Sequence, residues 1–138
     1  IGFVLTLICT DILKQIFFPL FKAAARPSMA TGCDFFSIKG NVGGQPGFPS
    51  GHMSITAYFA IFNILLIVKR NHGSKYWKTL LILSNIVIII LMGWARHFKH
   101  CHNMIQILGG IITGTILGIG FFYLSKQYSN KIDIKQNN

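Results

Sequence analysis

Pro49-Ser50-Gly51-His52, Arg26 with Pro27 behind it, and Arg96 followed six residues later by His102 are the residues of this chain whose types could do chemistry together. Phosphate esters resist nucleophiles because their negative oxygens repel an incoming electron pair, so a site that hydrolyses them must gather cations and donors around phosphorus. Arg26 and Arg96 offer planar, permanently charged forks. Ser50 and Gly51 offer a hydroxyl and backbone amides where a helix should begin, and a helix N-terminus already favours an anion. Of the two imidazoles, one can attack phosphorus and the other can give a proton to the departing oxygen. Each piece is common in isolation; their order, and their attachment to hydrophobic segments, makes the set specific.

The elements that must position these residues read as membrane helices. Of 138 residues, 51% are hydrophobic and 12% charged, and the mean hydropathy is +0.52, too apolar for an ordinary soluble domain of this length. Four stretches approach the roughly twenty apolar residues that cross a bilayer: 1–21, interrupted by Asp11 and Lys14, then 52–68, 77–95 and 103–124. The expected fold class is therefore all-α, a polytopic transmembrane bundle forming one domain over 1–138 with a polar tail at 125–138. The first stretch lacks the basic start and small-residue cleavage pattern of a signal peptide.

Topology sets a condition that the candidate residues meet. Arg26 follows the first helix and His52 opens the second, so one long Gly/Pro-rich loop holds both. The second helix crosses away, residues 69–76 turn it round, and the third returns to deliver Arg96 and His102 at the same face. The opposite face carries Lys69, Arg70, Lys75, Lys78, Lys126, Lys131 and Lys135, against Lys22, Arg26, Lys39, Arg96 and Lys99 on the site face. Basic loops stay cytoplasmic, so the site is expected on a lumenal, periplasmic or extracellular face. The net charge of +10 does not point to nucleic acid, because the basic residues cap apolar segments and do not interleave with aromatics on a soluble face.

At these residues the chain resembles the type-2 phosphatidic acid phosphatase superfamily, whose members share Lys-x6-Arg-Pro, Pro-Ser-Gly-His and Ser-Arg-x5-His-x3-Asp. The second motif is matched in full by residues 49–52. The third is matched by Arg96 and His102, with Ala95 in the Ser place and Gln106 in the Asp place; the first is matched only by Arg26-Pro27, because Pro19 holds the Lys position. If the first helix continued to Arg26, Lys22 would share its face and present the missing cation, whereas Lys14 would point elsewhere. Gln106, four residues after His102 on a helix, can accept a hydrogen bond from one imidazole nitrogen but brings no negative charge. The same Arg-x5-His-x3-Gln pattern resembles the dolichyl-diphosphate phosphatase and glucose-6-phosphatase branches.

The resemblance implies an integral membrane phosphatase acting on a lipid phosphate or polyprenyl diphosphate without metal or cofactor. In it His102 is the nucleophile that becomes a phosphohistidine, His52 the proton donor and Gln106 the orienting residue, while Lys22, Arg26, Ser50, Gly51 and Arg96 bind phosphate. The alternatives are a sugar-phosphate phosphatase and a catalytically silent binder of lipid phosphates. Family cores usually contain six helices, which makes this chain a truncated or reduced version with a pair missing before Ile1. Vanadium haloperoxidases share similar motifs but are soluble.

The remaining features read as scaffold. His97, His100, Cys101 and His102 match no common zinc spacing, and Arg96 and Lys99 would repel a cation. Gly110, Gly114 and Gly118 form a small-residue ridge for internal packing or, alternatively, homo-oligomerisation. Ser54, Thr56, Tyr58 and Asn63 read as bonding between helices. The stretch from Gly40 to Gly47 reads as a flexible lip over the site. Cys33 and Cys101 lie at the site face, as a disulfide or as free thiols.

Overall fold

The computed structural model describes residues 1–33, 40–70 and 73–136, with side chains described as far as residue 128. Asp34 and Lys39, and the side chains of Lys131, Asp133 and Lys135, lie outside the described residues. Among the described residues four α-helices follow one another: α1 (Gly2–Phe17), α2 (Gly51–Lys69), α3 (Lys75–Phe98) and α4 (Met104–Gln136), with a 3-10 turn at Lys22–Ala24.

Three of these helices, α2, α3 and the part of α4 from Met104 to Tyr128, are long and apolar enough to cross a membrane. These are three of the four expected stretches; in the remaining one, α1 covers 16 residues of the sequence, about 24 Å at 1.5 Å per residue. From its apolar part α4 continues into the polar tail as far as Gln136.

The core is the seam between α2 and α4, which run in parallel from the site end. A Cβ at Gly110 would fall 2.7 Å from the Ser50 carbonyl oxygen, one at Gly114 2.1 Å from that of Ser54, and one at Gly118 2.9 Å from that of Tyr58. The two four-residue repeats therefore match step for step, and only glycine allows the backbones to approach this closely. The ridge is internal packing. It is not an oligomerisation face, because α2 covers it. Ser54 does not bond between helices; its hydroxyl donates to Ser50 O within α2 at 3.0 Å. Farther along, Tyr58 packs edge-on against Phe121, and Phe62 against Phe122.

Much of α3 turns apolar side chains outward, including Leu83, Val87 and Ile90, as a lipid-facing helix should. It ends where His100 adopts a positive φ of 52°, which reverses the chain and lets the Cys101 and His102 amides donate to Arg96 O. Asn103 then starts α4, its Oδ1 accepting the Gln106 amide at 2.9 Å, the N-cap arrangement that satisfies a free first-turn donor.

Among the described residues of the α1–α2 connection, the Gly40 to Gly47 stretch expected as a flexible lip is hydrogen-bonded back to the Arg26 segment as a ribbon. Arg26 N donates to Gln45 O at 2.9 Å, Gly44 N to Arg26 O at 3.1 Å and Val42 N to Ala30 O at 2.8 Å. Beneath it Ala30, Cys33, Val42 and Cys101 form a small buried cluster, closed by a disulfide between Cys33 and Cys101.

Candidate active site

Two hydrogen bonds bring the motifs together at the end of the bundle. Ser50 N donates to Gln106 O at 3.0 Å, joining the start of α2 to the first turn of α4. Arg96, buried in the last turn of α3, donates from Nη2 to Cys33 O at 2.7 Å, joining α3 to the ribbon. Arg26 enters from that ribbon, with Nε directed at Pro46 O at a long 3.5 Å.

His102 lies at the centre and is 2% exposed. The charges of Arg26, Arg96 and His52 all reach it, so the residues spread over seventy-seven positions of sequence do converge on one spot. Burial, first, and then those three charges hold its imidazole well below the ordinary 6.5, at about 3, although the hydrogen bond with Gln106 pulls the other way. The ring is therefore neutral at physiological pH.

Gln106 decides which nitrogen of that ring carries the proton. Its Nε2 donates to two backbone carbonyls, Ala23 O at 2.9 Å and Ala25 O at 2.7 Å. Carbonyls only accept, so this end must be the NH2 group and Oε1 must face His102 Nδ1, 2.9 Å away. An amide oxygen only accepts as well, so Nδ1 carries the hydrogen and Nε2 keeps its lone pair. The carbonyls of the Arg26 segment thus set the tautomer of His102 through one side chain.

Two buried donors of the motifs stand without partners among the described residues. Ser50 stands at the N-cap of α2 without capping it, and its Oγ is buried and, among the described residues, lacks a hydrogen-bond partner, as does Nε of Arg96. Buried donors without partners are rare and call for an explanation. The first turn of α2 contains no acidic residue, so its free amides and dipole are directed at the site without an internal counter-charge.

Two positions in the first motif differ from expectation. Because α1 ends at Phe17 and Lys22 opens a 3-10 turn, the helical register that would have aligned Lys22 with Arg26 does not exist, and Lys22 is exposed. Lys14 does not point elsewhere. Its Nζ lies 3.6 Å from where a Cβ of Gly51 would be, beside the Pro-Ser-Gly-His segment.

Sequence reasoning missed two further residues. Gly47 is wedged where a Cβ would fall 2.7 Å from Arg26 Cγ and 2.8 Å from Gln106 Oε1, so it fixes the spacing of those two side chains. Asn103 donates to Ala23 O at 3.1 Å while capping α4; an Asn just before an apolar run was a legible cap signal. The zinc alternative loses a ligand, since Cys101 is bonded to Cys33.

A model of the PAP2 superfamily matches residues 1–130. The chain belongs to this superfamily. It is similar to Dolichyldiphosphatase 1 of Homo sapiens, 25% identical over 93 residues, which is 62% of this chain and 39% of that protein. The proteins of the same name from Rhinolophus ferrumequinum and Callithrix jacchus are each 24% identical, with the same 62% and 39% coverage. The chain thus matches about two fifths of the length of these curated relatives. No solved structure matches it. Superfamily membership and three apolar helices make this an integral membrane protein.

Proposed function

We propose that the chain is a membrane phosphatase that hydrolyses a polyprenyl diphosphate or lipid phosphate through a phosphohistidine. The observation that carries this reading is the His102 and Gln106 pair: a buried neutral imidazole whose Nδ1 is committed to an amide oxygen, leaving the Nε2 lone pair of a ring on which the charges of Arg26, Arg96 and His52 act. Nε2 attacks phosphorus, the phosphorus–oxygen bond to the leaving group breaks, and His52 gives that oxygen a proton. Water, giving a proton to His52, then attacks phosphorus; the new phosphorus–oxygen bond forms as the phosphorus–nitrogen bond breaks, which releases phosphate and returns the lone pair to His102 Nε2. Arg26, Arg96, Ser50 and the Gly51 amide hold the equatorial oxygens. The guanidinium groups neutralise the developing charge, so EDTA leaves the rate unchanged.

Similarity to proteins named dolichyldiphosphatase favours the diphosphate, and a site at the end of apolar helices suits an amphiphile whose phosphate stays wet. The disulfide beside His102 supports a site on the oxidising, non-cytoplasmic side. Purified full-length chain in lipid nanodiscs, offered dolichyl diphosphate, phosphatidate and glucose 6-phosphate, tests the reading. Phosphate release from the lipid substrates is expected, with loss of at least roughly a thousandfold in His102→Ala and His52→Ala, within the range seen when a nucleophile or its partner is removed. Turnover that survives His102→Ala excludes the phosphohistidine. Orthovanadate binding without turnover of any substrate identifies a silent binder.

A further inference from the structure

We propose that Lys14, delivered by α1, is a third cation of the phosphate site. No motif match reaches this residue, which precedes Arg26 by twelve positions, and the inference rests on the phosphatase reading above. Its support is positional. Lys14 Nζ lies 3.6 Å, and Thr10 Cγ2 3.8 Å, from where Gly51 would carry a Cβ, so Thr10 and Lys14, one turn apart, form the face of α1 that meets the start of α2. An ammonium there is set against the positive end of a helix dipole, and Asp11, the carboxylate it pairs with, belongs to α1, while the first turn of α2 holds no acidic residue.

A lysine that merely escaped the bilayer would extend toward water. The Lys14 side chain is instead 18% exposed, while Asp11, which binds its Nζ at 2.7 Å, is 69% exposed. The pair is therefore polarised, with the carboxylate outward and the ammonium inward. The second, independent sign of an anion is Ser50 Oγ, fully buried next to Gly51 and without a partner among the described residues. Lys14 reaches the first turn of α2 from α1, whereas Arg26 enters from the ribbon, and the ammonium would close the oxyanion cradle.

The test compares Lys14→Gln, Lys14→Arg, Lys22→Gln and His102→Ala in the full chain in nanodiscs. Binding of orthovanadate and of inorganic phosphate is read alongside KM and kcat for dolichyl diphosphate. A charge-assisted contact to phosphate is worth about 1.5–3 kcal/mol, or roughly 10- to 100-fold. Lys14→Gln should therefore weaken vanadate binding and lower kcat/KM by about that factor, with Lys14→Arg recovering most of the loss and Lys22→Gln losing less than a tenth as much. Helical circular dichroism and an intact disulfide identify a misfolded variant, and recovery by arginine separates charge from packing. Vanadate affinity unchanged in Lys14→Gln, or lost instead in Lys22→Gln, overturns the inference. If His102→Ala abolishes turnover while Lys14→Gln is indifferent, only this inference fails. A wild-type chain that neither turns over substrate nor binds vanadate ends both.

Discussion

The residue with the most leverage is Gln106, because a neutral amide does two tasks that a carboxylate cannot combine. It accepts from His102 and donates to Ala23 O and Ala25 O. Substituting Gln106→Glu should therefore not improve the site, although it installs the negative charge that the superfamily motif carries. The part-buried Ala25 carbonyl would lose this donor, costing about 1–3 kcal/mol when left unsatisfied, while Ala23 O would keep Asn103 alone, and the new charge would favour the protonated imidazole. In the wild type, His102 with its pKa near 3 stays neutral across the physiological range, so it contributes no acid limb to kcat/KM near pH 6.5. The expected result in Gln106→Glu is an acid limb moved upward, with activity at pH 6 falling about tenfold for each unit by which the imidazole pKa comes to exceed 6. The sign for folding follows from the same shift. A histidine kept neutral by the fold costs nothing above pH 6.5, and its penalty grows as pH falls from 6.5 toward 3, where the unfolded chain takes up a proton and the folded chain does not.

At the scale of elements, the parallel seam of α2 and α4 positions the site. Gly114 meets the Ser54 carbonyl at a distance no Cβ tolerates, so Gly114→Leu must push the helices apart. Such overpacking costs about 1–3 kcal/mol, and because Ser50 and Gln106 sit on these two helices, it should also loosen the bond between them. A lower thermal midpoint together with reduced turnover is expected, whereas Gly120→Leu, where a Cβ would meet nothing, should leave both near wild type. The spacing Arg-x5-His-x3-Gln, the tetrapeptide at 49–52 and the parity of the crossings were legible because helix period and membrane length constrain them strongly. The position of Lys14 was not. It depends on α1 stopping at Phe17 and lying across α2, and neither the early stop nor the packing angle is encoded in a local pattern. The Gly40 to Gly47 stretch was misjudged for a related reason. Glycines that read as freedom in one dimension are, at Gly47, a requirement for close approach to Arg26 and Gln106.

For the whole molecule, the covalent link between Cys33 and Cys101 matters because its partners are 68 residues apart. In the chain-entropy account, closing a loop of that length stabilises by about 4 kcal/mol. It also fastens the ribbon bearing Arg26 to the turn bearing His102, with the Arg96 guanidinium bonded to the Cys33 carbonyl between them. Cys33→Ser, or reduction by a membrane-permeant thiol, should therefore lower the thermal midpoint and weaken phosphate binding together, and the two effects should track each other through a titration with reductant. The bond also makes α2 and α3 a sealed hoop. A protease that nicks the exposed bend near Gly73 would then open the hoop without releasing either half, and the two fragments should co-migrate on an electrophoresis gel until a thiol is added.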